Sequence, residues 1–223
     1  MSHNNHYDQA YLDRVSEHLY SSVIADILDD HGYRQQVMDH EVRPLYPGAR
    51  VAGRAATMLA VEVSKLPDNP YEKLMELLDG IVPGEVVVGA VQSRANAAIW
   101  GELLSTHTRA KGGRGVVLDG LSRDSWGIDE MKFPAFARGL CPADSKGRLE
   151  VIAIRGTIPV AGVAVGNGDL VLADDDGVVV VPREVEDEVI RLAFEKVEGE
   201  DVMRDILRKG ANLRAVFKEH GIL

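Results

Sequence analysis

A mixed α/β fold with a β-rich core and helices outside is what this sequence predicts, and three observations predict it. Apolar residues recur at three- or four-residue spacing near both ends of the chain, which places helices there. Short Val-rich runs bounded by Gly, Pro and Asp fill the middle and the second half, which places strands there. Between them, Trp100 to Asp124 reads as a helix followed by a buried strand, the alternation of an α/β sheet. The 223 residues suffice for one large domain, and no linker rich in Pro, Gly or Ser divides them, so a single domain over 1–223 is expected.

In chain order, Leu12, Val15, Leu19, Val23 and Ile27 mark one buried helical face from Tyr11 to Asp30. Ser21-Ser22 interrupts it and caps a second helix over Val23–Asp30, which Gly32 ends. Pro44, Pro47 and Gly48 mark a loop, and Arg50 to Val63 reads as one or two strands. Tyr71 to Leu78 is a short helix, and Pro83-Gly84-Glu85 turns into Val86–Val91, apolar on both faces and therefore interior. A helix from Gly101 stops at Gly112-Gly113, and Gly115–Leu118 is a buried strand. Asp124 to Met131 is helical and Phe133 to Phe136 is a short extended piece. Leu149 to Arg155 and Ile158 to Val165 are each one strand. Leu170–Ala173 and Val178–Val181 form a hairpin around Asp174-Asp175-Asp176-Gly177, a turn longer than the two-residue ideal. From Arg183 onward the pattern is helical, broken at Gly199 and Gly210, and this tail (183–223) is suited to packing on a neighbouring subunit.

Composition narrows the function. A net charge of −10 argues against a nucleic-acid surface. The opening MSHNNHYDQA has no apolar h-region, and no run approaches the roughly 18 apolar residues of a membrane span. A cytoplasmic protein with neither nucleic-acid nor membrane partners is the expectation. The single cysteine, Cys141, allows no internal disulfide and reads as a buried thiol. The 7 histidines are scattered without zinc-site spacing, and there is no P-loop, GxGxxG or GxSxG.

Chemistry concentrates in Trp100–Asp124. Gly101 opens its helix with the first amides uncovered, a ready site for a carboxylate or phosphate. The following strand delivers Asp119 to Asp124 at its carboxyl end, where ligands of open α/β sheets bind. Arg123-Asp124 read alone is an exposed pair, with Asp124 capping the next helix. Its place after an interior strand, beside the glycine-opened helix, favours a site for an anionic, metal-assisted reaction. The three Asp of 174–176 resemble a metal cluster but read better as solvated turn residues.

The runs G-E-L-L (101–104), G-G-R-G-V-V-L-D-G-L-S-R-D (112–124) and G-D-L-V-L-A-D-D-D-G-V-V-V-V-P-R (168–183) resemble the ribonuclease-activity-regulator-A-like (RraA-like) family. That family also holds class II pyruvate aldolases acting on 4-hydroxy-4-methyl-2-oxoglutarate and 4-carboxy-4-hydroxy-2-oxoadipate. The likeness runs from about Val23 to Arg204. It implies an αββα sandwich of the swivelling β/β/α type, assembled as a homotrimer or as a hexamer of paired trimers, with the site between subunits. It implies that the amides of Glu102, Leu103 and Leu104, opened by Gly101, hold a substrate carboxylate, and that Arg123 binds the pyruvyl oxygens. Asp124 becomes the direct ligand of Mg²⁺ (or Mn²⁺), with Glu102 and a neighbouring subunit's Glu200 reaching the ion through water. The implied activity is a lyase that cleaves a 4-hydroxy-2-oxo acid to pyruvate and decarboxylates oxaloacetate on the side. The sequence departs from the family at Glu102, one methylene longer than the usual Asp or Asn, and 133–148 resembles a branch without a defined substrate. The rival implied by the family name is a non-catalytic trimer that binds ribonuclease E. A menaquinone methyltransferase, a name attached to relatives, finds no glycine-rich nucleotide loop here.

Overall fold

The computed structural model of the protein describes residues 8–220; the polar opening 1–7 and residues 221–223 lie outside the described residues. The expected class is observed: a mixed α/β chain with a nearly closed sheet and outer helices. The strands are β1 (Arg43–Pro44), β2 (Val51–Glu62), β3 (Glu85–Gln92), β4 (Ala98–Trp100), β5 (Gly115–Ser122), β6 (Ala135–Leu140), β7 (Leu149–Ile154), β8 (Ile158–Val160), β9 (Val163–Val165), β10 (Leu170–Asp174) and β11 (Gly177–Val181). The helices are α1 (Gln9–His18), α2 (Ser21–Asp30), α3 (Glu72–Asp79), α4 (Glu102–Ala110), α5 (Ser125–Glu130), α6 (Glu186–Arg208) and α7 (Leu213–His220).

The sheet runs β1-β6-β5-β3-β2-β10-β11, with β4 beside β5 and β7 beside β2. Its parallel part is a series of crossovers, β2–α3–β3, β4–α4–β5 and β5–α5–β6, as strands buried on both faces require. The 12-residue β2 binds β3 along one edge. Its other edge is shared, antiparallel, between β10 at Val51–Arg54 and β7 at Met58–Glu62. Residues 36–38 close the sheet: Val180 N donates to Gln36 O and Met38 N to Val178 O, each at 2.9 Å, while β1 pairs with β6 at the opposite end.

The larger core, with Met58, Val87, Leu118, Phe136 and Val160, lies within this curved sheet. A second core joins α1, α2 and α6 to Ala52, Leu170, Leu172, Val179 and Val181. A buried ion pair ties that layer together: Arg54 on β2 meets Glu186 at the start of α6, and Tyr11 of α1 donates to the same carboxylate at 2.8 Å.

Several local readings change. Ser21 does not cap a helix starting at Val23; α2 starts at Ser21 itself, behind Tyr20, which gives no side-chain cap. Instead Ser21 is the donor, giving its N–H and hydroxyl to the Asp174 carboxylate at 2.7 Å each. Asp174 is therefore buried at the root of the β10–β11 hairpin, not a solvated turn residue. The hairpin loop is only Asp175-Asp176, because Asp174 pairs with Gly177. Ile158–Val165 is two strands folded back at Ala161-Gly162, both left-handed at φ 47° and 86°. Gly199 does not interrupt α6, a helix of 23 residues, whereas Gly210 (φ 83°) follows its end. The first half of α6 packs on α1 and α2 of its own chain through Val189, Ile190 and Ala193. Farther along the tail Val202, Leu213 and Phe217 are exposed. Among the described residues no helix is long and apolar enough to cross a membrane.

Asp174 acts as a long-range helix cap, so Asp174→Ala is expected to destabilise the chain by about 1–3 kcal/mol. Urea unfolding followed by circular dichroism measures this, and an unchanged midpoint would show that the bond to Ser21 contributes nothing net.

Candidate active site

The pairing of β4 with the end of β5 sets Gly101 beside Arg123. Trp100 is registered with Ser122, and Arg123 N donates to Trp100 O at 2.9 Å. Trp100 is 1% exposed, and its indole N–H donates to Ser105 Oγ at 2.8 Å. Ser105 Oγ in turn donates to Gly101 O at 3.0 Å, which fixes the first turn of α4. No side chain caps that turn, so the first amides of α4 stay open. Gly101 is extended, and its need for glycine is one of space. A Cβ there would lie 2.7 Å from Asp124 Oδ2 and 3.1 Å from Arg123 Cγ.

Gly101, Leu103, Leu104, Arg123 and Asp124 line one cavity of about 280 Å³, joined by Tyr71 and Asp144. It opens beyond the carboxyl ends of β4 and β5, as the sheet rule predicts. Arg123 is held between two carboxylates: Nη1 is 3.2 Å from Asp144 Oδ1 and Nε is 3.5 Å from Asp124 Oδ2. The Tyr71 hydroxyl donates to Asp144 Oδ2 at 2.7 Å. Burial works against ionised Asp144, but Tyr71, the Lys146 and Ser145 amides and the Arg123 charge together hold its carboxyl below the usual range. Burial and then the Asp144 hydrogen bond push the Tyr71 phenol up, so it is a neutral donor at physiological pH. Tyr71 (φ 69°) and Asp124 (φ 55°) are both left-handed, at a cost on the order of 1 kcal/mol each. Asp124 occupies the N-cap position of α5 yet its side chain makes no cap bond, so helix capping does not explain it.

The other expected residues lie apart from the cavity wall. Glu102 turns along α4, where Thr106 Oγ1 donates to it at 2.8 Å. Its Cγ fills the space over Gly127 of α5, 2.7 Å from where a Cβ would be. Glu200 accepts the Tyr20 hydroxyl on α6 and does not line the cavity of its own chain. Cys141 is a buried thiol, as expected, donating to Asn96 O. Sequence reasoning missed Tyr71 and Asp144. The one signal was the acid within P-A-D-S-K-G-R, and nothing in the sequence joins it to a tyrosine 73 positions earlier.

The donor set fits a divalent ion of the magnesium kind, which commonly takes one or two carboxylates and keeps several waters. Asp124 is half exposed against the bare Gly101 backbone, with Asp144 across Arg123. Among the described residues no group of three His, Cys, Asp or Glu stands ready to hold a metal on protein ligands alone.

Comparison with known proteins places this geometry in context. The model of the RraA-like family, described as Aldolase/RraA, matches residues 21–180. An uncharacterized protein of Methanocaldococcus jannaschii is 38% identical over 131 residues, covering 59% of this chain; the chain spans only 62% of that protein's length. A protein of Halalkalibacterium halodurans, provisionally named 4-hydroxy-4-methyl-2-oxoglutarate aldolase, is 29% identical over 74% of each chain. Among solved structures, Streptomyces coelicolor RraAS2, described as an unusual member of the RNase ES inhibitor RraA family, superposes with TM-score 0.76. It is 29% identical, over 88% of this chain and 96% of its own.

The Tyr71–Asp144 bond makes a pH-dependent prediction. Because the folded carboxyl is depressed, its stabilisation is complete above the ordinary carboxylate range and is lost as pH falls through the folded value. Tyr71→Phe is expected to raise the Asp144 midpoint in a carboxyl ¹³C titration. The wild type's stability advantage over the variant should shrink with falling pH; a midpoint that stays put refutes the coupling.

Proposed function

The chain, matched by the family model over residues 21–180, belongs to the RraA-like family, and on that premise we propose a divalent-metal-dependent lyase that cleaves a 4-hydroxy-2-oxo acid to pyruvate and a second carbonyl compound. The observation that supports it most is the single small cavity shared by the open first turn of α4, Arg123 and Asp124. The amides of Glu102, Leu103 and Leu104 bind the substrate carboxylate. Arg123 directs its guanidinium at the 2-oxo oxygen, where negative charge develops. In the cleavage the 4-hydroxyl loses its proton, C4 becomes a carbonyl and the C3–C4 bond pair passes into a pyruvate enolate, which takes a proton at C3. Asp144, ionised and hydrogen-bonded by Tyr71, holds Arg123 in place for that charge.

Asp124 would hold Mg²⁺ or Mn²⁺, with Glu102, once turned from its bond to Thr106, and a copy of Glu200 from a neighbouring chain acting through water. When bound, the ion supplies Lewis-acid polarisation of the 2-oxo group. A homotrimer, or a hexamer of two trimers, is part of the same reading. Oxaloacetate decarboxylation follows because it passes through the same enolate. A second reading, a regulator that binds ribonuclease E, is favoured by the likeness to RraAS2.

Pyruvate release from 4-hydroxy-2-oxo acids and oxaloacetate, followed by coupled assay, is expected to need Mg²⁺ or Mn²⁺ and to stop with EDTA. Arg123→Ala and Asp124→Ala should each lower kcat/KM by roughly 10²- to 10³-fold, the loss typical of removing a preorganised group at developing charge. Unchanged rates would overturn the assignment. No pyruvate from any of these acids, together with capture of ribonuclease E, would favour the regulator.

A further inference from the structure

Arg123 and Asp124 form the wall between two clefts. On one side is the cavity at the start of α4; on the other is an open cleft of about 310 Å³ whose far wall is Trp126, Leu140, Cys141 and Pro142. We propose that this second cleft receives the departing carbonyl half of the substrate, and that this half is uncharged and aromatic or bulky aliphatic. The proposal rests on the lyase reading and names its substrate class.

Position is the first support. Arg123 and Asp124 line both clefts, so a 2-oxo acid held by the α4 amides and Arg123 has the second cleft within reach of its C4 substituent. The cleft walls are set by the strands that set the chemistry: Leu140 is registered with Ser122, and Cys141 N donates to Ser122 O at 2.9 Å. Trp126 stands in the first turn of α5, two residues after Asp124.

Charge is the second. Among the described residues that line the two clefts, Arg123 is the only cation, facing Asp124 and Asp144. The 2-oxo acid end already uses it. A second substrate carboxylate in the far cleft would meet the like charge of Asp124, with Ser125 and apolar walls around it and no cation of its own. A phenyl or branched alkyl group loses nothing there and gains contact with indole and leucine surface. In the single chain Trp126 and Leu140 are 73% and 55% exposed, so their indole and leucine surface is not covered by the chain's own residues. The selectivity thus runs opposite to that for a dicarboxylic substrate such as 4-hydroxy-4-methyl-2-oxoglutarate.

The test compares kcat/KM for pyruvate release by the full chain with Mg²⁺, using 4-hydroxy-2-oxo-4-phenylbutanoate and 4-hydroxy-4-methyl-2-oxoglutarate. The phenyl compound is expected to be preferred at least tenfold. Trp126→Ala should cut that preference about tenfold, mainly through KM, and Trp126→Phe should keep most of it. Binding gives an independent readout through the two tryptophans, because Trp100 lines the cavity at α4 and Trp126 lines the far cleft. Titration with 4-phenyl-2-oxobutanoate, which lacks the hydroxyl needed for cleavage, should shift the tryptophan emission more than 2-oxobutanoate does, and Trp126→Ala should abolish that difference while leaving any response of Trp100 in place. Preference for the dicarboxylate, or a ratio unmoved by Trp126→Ala, would overturn the proposal. So would a Trp126→Ala variant that changes only the oligomeric mass in light scattering. If no compound releases pyruvate, oxaloacetate included, the lyase reading fails by itself, and the fluorescence titration still decides the cleft.

Discussion

A single missing methyl group holds the site together. The Asp124 carboxylate rests on the backbone at the mouth of α4, in space that any side chain at position 101 would occupy. Because β4 and β5 are adjacent parallel strands, the residues that leave their ends are forced into contact, and only glycine allows that contact to be close. The consequences spread outward. The helix start stays uncapped, Arg123 lies along the same wall, and the left-handed backbone at Asp124 aims the carboxylate inward instead of onto the amides of α5. Buried Trp100 and Ser105 make this arrangement rigid, since their hydrogen bonds end on the Gly101 carbonyl. The helix dipole, the guanidinium and the carboxylate are thereby presented together before any ligand arrives, which is how electrostatic stabilisation avoids reorganisation during a reaction.

The scaffold explains why such closeness is tolerated. β3, buried nearly throughout, is flanked by β2 and β5 in continuous parallel register, so the strands that end at the site cannot slide without exposing their Val-rich faces. The opposite layer, α1, α2 and α6 over β10 and β11, is pinned by Arg54, Glu186 and Tyr11. Burial, then Glu186, pushes the Tyr11 phenol far up, so at ordinary pH it remains a hydrogen-bond donor to that carboxylate. Two of the left-handed non-glycine residues, Tyr71 and Asp124, and the open amides of α4 meet at the cavity end of this scaffold, where strain and unpaired polar groups serve a working site.

Much of this was legible in the sequence because it is local. Val86–Val91, Gly115–Leu118 and the β10–β11 hairpin announce themselves by composition, and the Gly101 helix start and Arg123-Asp124 lie within one helix–strand unit. What escaped depends on tertiary context. β4 and β1 are too short for any periodicity to register, and they exist only because β5 and β6 offer edges. Gly199 costs its helix about 1 kcal/mol in propensity, less than continuous packing of a long helix returns. The bend at Ala161 uses a left-handed alanine, a conformation that composition does not foretell. Tyr71 and Asp144 belong to distant segments, and the hydrogen bond that unites them at Arg123 is a product of the fold.

The bond from Ser21 to Asp174 bridges 153 positions, and the Gln36–Val180 contact spans 144. On a ribosome, which adds about 5–20 residues per second, α1 and α2 emerge well before the hairpin that seats them. During that interval α2 displays Val23, Ile24, Ile27 and Leu28 with no sheet to cover them. Such a chain has a high proportion of contacts distant in sequence, the topology of slow folders. The apolar face of α2 therefore stays bare in the growing chain until the β10–β11 hairpin has been made.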